Sequence, residues 1–351
     1  MCYLGAQGQV LSREGLEWLI RADVRTYRMI DAANVPLLWE LKAALPKCTI
    51  GFRLVRNIDL SDPAKAARDF WNALAPKLAE FPFDFCSGAN ETGYHSDDSV
   101  AYSEFNRLLA AFVHDKFPRM LYGSFDWGVC WPDVALVRDG DYDAGLVDGD
   151  FLAMHLYHLP DNEDANTIYH HRHVRAALPK GLVDKPIWAT EFGLDYQGRA
   201  GDGWSGPTWG WTPERYAEWI EATAATLTDV EHGIVFLSEE TDPTWASWRV
   251  VGHNVIADAV ARANKAEDKR REQTMLELHG RAAAMAAAIG DTSKVLTGPV
   301  YMTPDTFYQR TERYTYTWTR GDDTGIAAEN RYSMGADGVL VEIPNLPHPI
   351  I

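Results

Sequence analysis

The chain has 351 residues, 46% hydrophobic and 24% charged, with 33 Lys and Arg against 50 Asp and Glu for a formal net charge of −17. That composition bounds one large globular domain, or one with an accessory piece, able to form a core without staples. The acidic balance argues against nucleic acid or an anionic membrane as partner, and no run of 18 apolar residues exists to enter a bilayer. The opening residues Met1 to Gly5 lack the basic and apolar regions of a signal peptide. A cytoplasmic protein is therefore expected, or one released by another route such as phage lysis or virion assembly. The four cysteines, at 2, 48, 86 and 130, form no C-x-x-C pair, so neither a zinc nor a redox site is expected.

Short apolar runs alternate with amphipathic stretches, the pattern of parallel strands joined by crossover helices. Cys2 to Gln7 reads as the first strand, and Ser12 caps a helix to Arg21. A weaker strand, Val24 to Ile30, ends at Asp31. A helix from Val35 to Leu45 stops at Pro46. The third strand is Thr49 to Val55. Asp62 and Pro63 start a helix that runs to about Glu80. Phe83 to Ser87 is the fourth strand, followed by Gly88, Asn90 and Glu91. Ser99 to Lys116 is a helix with Phe105, Leu108, Leu109 and Phe112 on one face. The fifth strand, Arg119 to Phe125, ends at Asp126 and Trp127. A poorly defined helix spans about Asp133 to Val147. Phe151 to Tyr157 is the sixth strand and Thr167 to Leu178 its helix. Ile187 to Thr190 is the seventh, delivering Glu191 at its end. Thr212 and Pro213 open a helix to about Leu227. Gly233 to Ser238 is the eighth strand, followed by a helix from Trp248 to Asn264.

Eight such units in about 260 residues match the usual size of a (β/α)8 barrel. The expected architecture is an α/β (β/α)8 TIM barrel over 1–264, then a charged, Ala-rich helical extension over 265–293, then a small β-rich appendage over 294–351. The last two segments are candidates for self-association or assembly. An open doubly wound sheet is the alternative, but no G-x-G-x-x-G follows the first strand and nothing points to a dinucleotide.

In such a barrel the strand C-terminal ends converge on the catalytic face. Glu91 and Glu191 would then face each other across one mouth. Glycosidic cleavage needs such a pair, one carboxyl protonated and one ionised. Asp126 and Trp127 are candidate substrate contacts on the same face. The Gly-rich loop 201–211 carries Trp204, Trp209 and Trp211, flat apolar surfaces suited to stacking on sugar rings. His170 and His173 fall on a helix away from the mouth, where a solvated face is the simpler reading. No metal and no cofactor are expected.

The motifs Ala89-Asn90-Glu91 and Ala189 to Gly193 resemble those of the retaining (β/α)8 glycoside hydrolases that include cellulases, mannanases and β-galactosidases. The resemblance covers about residues 1–262 in element order. It implies Glu91 as acid/base, Glu191 as nucleophile and Asn90 as a partner of the sugar 2-hydroxyl. It also implies His155 or Tyr157 in contact with the nucleophile, Arg53 as a weaker match to the arginine that steadies it, and a carbohydrate as partner. The sequence departs from the pattern at Thr92, where proline is usual, and at the end of the eighth strand, where Leu237 to Glu240 replace a tryptophan; Trp245 and Trp248 follow later. A binding or structural barrel without turnover, associated with a phage or a cell wall, is the competing expectation.

Overall fold

The computed structural model describes residues 2–92, 98–129, 131–159, 168–195 and 201–289, and beyond them six short strands between 300 and 342. The chain divides into two compact units, Met1–Glu267 and Asp268–Ile351.

The first unit is a closed barrel of eight parallel strands in sequence order. The strands are β1 (Tyr3–Gly8), β2 (Thr26–Ile30), β3 (Thr49–Arg53), β4 (Phe85–Ser87), β5 (Leu121–Trp127), β6 (Phe151–His158), β7 (Ile187–Leu194) and β8 (His232–Val235). Closure runs through Tyr3 to Ala6 of β1 against His232 to Val235 of β8. The fold is thus the (β/α)8 barrel that the alternation predicts. Helices α1 (Arg13–Arg21), α2 (Val35–Ala44), α3 (Pro63–Leu78) and α4 (Ser99–Lys116) follow the first four strands. Their starts follow local chemistry. Ser12 accepts from the Gly15 amide, and Asp62 accepts from the Lys65 amide ahead of Pro63. Glu239, just past β8, also caps α1, accepting from the Ser12 amide and hydroxyl at 2.9 and 2.5 Å.

The expected helix at 133–147 is two short helices, α5 (Val134–Asp139) and α6 (Asp143–Asp148), because Gly140 takes φ 87° and ends the first. Helix α7 (His170–Ala177) and helix α8 (Pro213–Thr226, capped by Thr212) complete the ring with the start of α9 (Asn254–Ile289). The segment from Trp248 is not helical at its start. Pro243–Trp248 is a short 3-10 turn, and α9 begins only at Asn254. Helix α9 is continuous to Ile289, so the boundary expected near 264 falls inside one helix. Apart from Asp268 the charged run 265–273 consists of strong helix formers, and it holds no glycine or proline, so nothing local interrupts it.

Small residues let large ones fill the barrel interior. Phe85, Phe151, Trp188 and Ile234 form a buried layer, with Phe151 stacked on Trp188 at 4.1 Å. A Cβ on Gly51 would lie 2.2 Å from the Phe85 ring, and one on Gly123 would lie 2.4 Å from Phe151. This layer fills the bore, so the barrel is a packed core rather than a pore. Cys2, Cys48 and Cys86 are buried; Cys130 lies outside the described residues. No helix among the described residues is long and apolar enough to cross a membrane.

The second unit contains a four-stranded antiparallel sheet. Its strands are β9 (Val300–Tyr301), β10 (Thr306–Arg310), β11 (Tyr314–Thr319) and β12 (Gly325–Glu329), in the order β12-β11-β10-β9. A separate pair joins β13 (Tyr332–Met334) to β14 (Leu340–Glu342). The remaining residues of 294–351, Val339 and Ile343 among them, lie outside the described residues.

Asn264, fully buried on α9, ties helix to barrel. It accepts from the Leu4 amide at 2.6 Å and donates to the Leu4 and Asp23 carbonyls at 3.0 and 2.9 Å. Asn264→Ala is expected to lower the unfolding free energy by about 2–4 kcal/mol, because it strands buried backbone groups. Urea denaturation checks this, and a loss below about 0.5 kcal/mol would contradict it.

Candidate active site

The C-terminal ends of the strands converge on a cleft of about 720 Å³. Glu91, Glu191, Asn90, Arg53 and Tyr157 all line it. One oxygen of Glu91, one ring nitrogen of His155 and one oxygen of Glu191 lie within 4.8 Å of one another.

Glu91 comes after β4, not on it. The chain turns away at Gly88, where a Cβ would meet Asn106 Oδ1 at 2.8 Å, and Glu91 takes φ 48°. Its amide donates to the Asp126 carbonyl at 3.1 Å. A left-handed residue without glycine is strained, and it persists only where its surroundings hold it. Here Tyr102 on α4 supplies the brace, its single hydroxyl proton shared between the Ala89 carbonyl, at 2.7 Å, and the Phe125 carbonyl.

Glu191 lies inside β7 rather than at its end, since that strand runs on to Leu194. Its register against both neighbours slips around Thr190, where Met154 pairs Ala189 but His155 pairs Glu191. Such an irregularity breaks the alternation of a strand. The bonds show the result: Thr190 Oγ1 reaches Asp126 at 2.5 Å, and Glu191 Oε1 accepts from Arg53 Nη1 at 2.5 Å. Two consecutive residues thus both serve the interior.

Glu191 is surrounded by donors. Gln7 Nε2 donates to Oε1 at 3.1 Å and Tyr157 Oη to Oε2 at 2.8 Å. Arg28 Nη2 stands 3.7 Å from Oε1, and His155 Nδ1 stands 3.4 Å from Oε2. Burial alone would favour the neutral acid. His155, Arg53 and Arg28 outweigh it and hold the group well below the usual carboxylate range. Glu91 differs: its side chain is 40% exposed against 7% for Glu191, and its Oε1 meets His155 Nδ1 at 2.7 Å.

His155 is the bridge. Burial opposes its charge, but Glu191, Asp126 and Glu91 overcome that and raise it to about 9. The ring is fully buried, with Nε2 3.5 Å from Asp126 Oδ1. Arg53 Nη1 also donates to Asn90 Oδ1 at 2.7 Å, fixing the amide at the cleft edge.

Several expected contacts lie elsewhere. Asp126 is fully buried, and both its oxygens accept from Arg28 Nη1 at 3.0 Å, so it does not reach a substrate. Trp127 is also fully buried, stacked on Phe125 at 4.3 Å. The loop tryptophans pack outward of the cleft. Trp204 is buried and stacks on Tyr216 at 5.0 Å; Trp209 donates to the Asp195 carbonyl at 3.3 Å; Trp211 lies under the Arg215 guanidinium at 4.2 Å. None of the three lines the cleft. Its aromatic wall is Phe236, Trp245 and Trp248, the last 5.5 Å from Tyr157. Trp245 and Trp248 come from the segment after β8, beyond the strand end where a tryptophan is usual.

Arg28 and Ser87 are inward residues that sequence reasoning missed; they join Gln7, a polar residue at the expected end of the first strand. A visible signal existed for Arg28: in Thr26–Ile30 alternation puts it on the face of Thr26 and Ile30, an arginine inside a barrel strand. Glu91, His155 and Glu191 also offer the donor types of a metal site. The charges do not fit one. Oε1 of Glu191 already accepts from Arg53 and Gln7, and the guanidiniums of Arg28 and Arg53 would repel a cation there.

No protein-family model matches the chain, and no curated protein does. Solved structures do match. A glucosidase from Croceicoccus marinus shares 12% identity over 97% of this chain and 80% of that one, with a TM-score of 0.49. The GH39 enzyme from Xanthomonas axonopodis pv. citri shares 12% over 90% and 70%, at 0.46. A monomeric β-xylosidase from Caulobacter crescentus CB15 shares 13% over 92% and 74%, at 0.47. Similarity at this level is one of barrel architecture, which the strand order of the chain already establishes.

The raised His155 has a stability consequence. Its ordinary value is 6.5 and its folded value about 9. The contribution is fully present below pH 6.5 and is lost as pH rises through 9, by at most about 3 kcal/mol. The melting temperature is expected to fall over that window, and to fall less in His155→Gln. Equal alkaline slopes for the two proteins would rule this out.

Proposed function

We propose that this chain is a retaining glycosidase acting on a β-linked glycan, with Glu191 as nucleophile and Glu91 as acid/base. The observation that carries the reading is the pair itself. Two carboxylates meet within 4.8 Å in one cleft, in unlike environments. Retaining enzymes hold their carboxyl groups at about 5–5.5 Å, whereas inverting ones leave roughly 6.5–9.5 Å for a water.

The unlike environments support this division of roles. Glu191, ringed by Arg53, Arg28, His155 and Tyr157, is ionised and immobile. Its carboxylate attacks the anomeric carbon as the bond to the leaving oxygen breaks. Oε1 of Glu91 lies 2.7 Å from Nδ1 of His155, within reach for a proton to pass between them. Whether that proton rests on nitrogen or oxygen, Glu91 is the member open to the cleft, and it passes the proton to the leaving oxygen. The emptied Glu91 then takes a proton from water, whose oxygen attacks the anomeric carbon and releases Glu191. Two inversions give net retention. In this reading Asn90, which accepts from Arg53 and lines the cleft, bonds the sugar 2-hydroxyl, and Trp245, Trp248 and Phe236 form the apolar wall for a ring face.

Glu191→Ala is expected to lower kcat on an aryl β-glycoside by about 10³-fold or more, with azide restoring turnover and giving the inverted glycosyl azide. Full activity in that variant would end the reading. Glu91→Gln should slow substrates with poor leaving groups far more than activated ones. An equal loss on both would remove Glu91 from the acid role.

A further inference from the structure

Asp126 touches both carboxylate-bearing segments yet faces no solvent. Its backbone carbonyl accepts from the Glu91 amide at 3.1 Å. Its side chain accepts from Thr190, the residue before Glu191, at 2.5 Å. Oδ1 and Oδ2 accept from Arg28 at 3.0 Å, Oδ2 from Ser87 at 3.3 Å and from Arg53 at 3.4 Å, and Oδ1 stands 3.5 Å from His155 Nε2. Arg28, Arg53 and His155 are the same three cations that surround Glu191.

The backbone is bent to bring this carboxylate inward. The register of β5 against β6 slips between Ser124 and Trp127. Within the slip Phe125 takes φ 78° and Asp126 φ 48°. The slip is clamped from α4, where Asn106 Oδ1 accepts from the Phe125 amide at 2.9 Å and the Tyr122 hydroxyl at 2.8 Å. Two adjacent left-handed residues without glycine are a costly arrangement, of order 1–3 kcal/mol each.

We propose that Asp126 is a positioning residue, fixing the spacing and orientation of the Glu91/Glu191 pair from beneath the cleft. It acts through three connections: its carbonyl sets the Glu91 backbone, Thr190 sets the Glu191 backbone, and its carboxylate holds Arg28, Arg53 and His155 against both. The inference rests on the glycosidase reading for its consequence in rate, but its structural content does not. The charged and titratable groups facing His155 are Glu91, Asp126 and Glu191, with Tyr157 at its edge. Removing one of three anions must therefore loosen the proton on the ring.

The test uses the intact chain and Asp126→Asn, which keeps size and removes charge. His155 is followed by nitrogen NMR of the imidazole, assigned with His155→Gln, and needs no substrate. Its titration is expected at least about one unit lower in the variant than in wild type. On an aryl β-glycoside, kcat should fall about 100-fold with KM changed less than about 3-fold, and the basic limb of kcat/KM should move to lower pH. An unchanged His155 titration in the folded variant overturns the proposal, whatever the rate does. Should wild type turn over no glycoside, the glycosidase reading fails and the imidazole titration still decides this one. Should Asp126→Asn not fold, Thr190→Val, which removes the hydroxyl, should lose at least about 10-fold more kcat than Thr190→Ser, which retains it; equal kcat in the two overturns the proposal.

Discussion

A carboxylate buried to 7% exposure cannot stay ionised without cations around it, and most of the upper barrel follows from that requirement at Glu191. Arg28 and Arg53 come from β2 and β3, and His155 from β6. Three cations in one buried volume would themselves be unstable. Asp126 is the counter-charge that makes the group close to neutral, and Thr190, Ser87 and Gln7 fill remaining bonds. Residues from seven of the eight strands, or from the turns directly after them, enter this one network. Removing any single charged member leaves an uncompensated charge, so the cluster behaves as a unit.

A regular strand cannot supply such a cluster, because its side chains alternate and only every second one faces the bore. The barrel meets this with two breaks. On β7 the slip at Thr190 lets Thr190 and Glu191 both work inward. On β5 the slip before Trp127 turns Asp126 under the cleft and sends Trp127 into the packing against Phe125 and Tyr142. The aromatic stack behind β5 is what offsets the cost of the strained pair Phe125 and Asp126. Packing and charge placement are two results of the same local geometry.

The same breaks explain what was legible beforehand. Alternation and capping locate eight strands and the helices between them, and they place Glu91 and Glu191 on the same rim. His155 and Tyr157, two apart on β6, keep regular alternation, so the positions that the family resemblance implies for them coincide with the inward face. Arg53, the weaker match by that resemblance, ends β3 and also reaches Glu191. Asp126 and Trp127 cannot be assigned by counting, since the slip inverts the faces that counting predicts. The tryptophans fail for a different reason. Composition says that aromatic faces are abundant, but not which loop folds over the mouth. Trp204, Trp209 and Trp211 spend their faces on Tyr216, His158 and Arg215, leaving Trp245 and Trp248 at the cleft.

The assignment of roles to the two glutamates stands on environment as well as on motif. Desolvation alone would raise Glu191 and leave the more exposed Glu91 the better anion, the reverse of the proposed roles. The arginines decide otherwise. Arg53 and Arg28 contact Glu191 and pin its charge, while among the described residues the ion pair of Glu91 is with His155, a group that can itself give up a proton. An arginine partner enforces one protonation state; a histidine partner permits two. A nucleophile needs the first condition and an acid/base the second. In the proposed mechanism, esterification of Glu191 would remove its negative charge and weaken the hold on the His155 proton, favouring the deprotonated pair in which Glu91 can take a proton from water. Glycosylation would thus itself shift the proton balance that the next step uses.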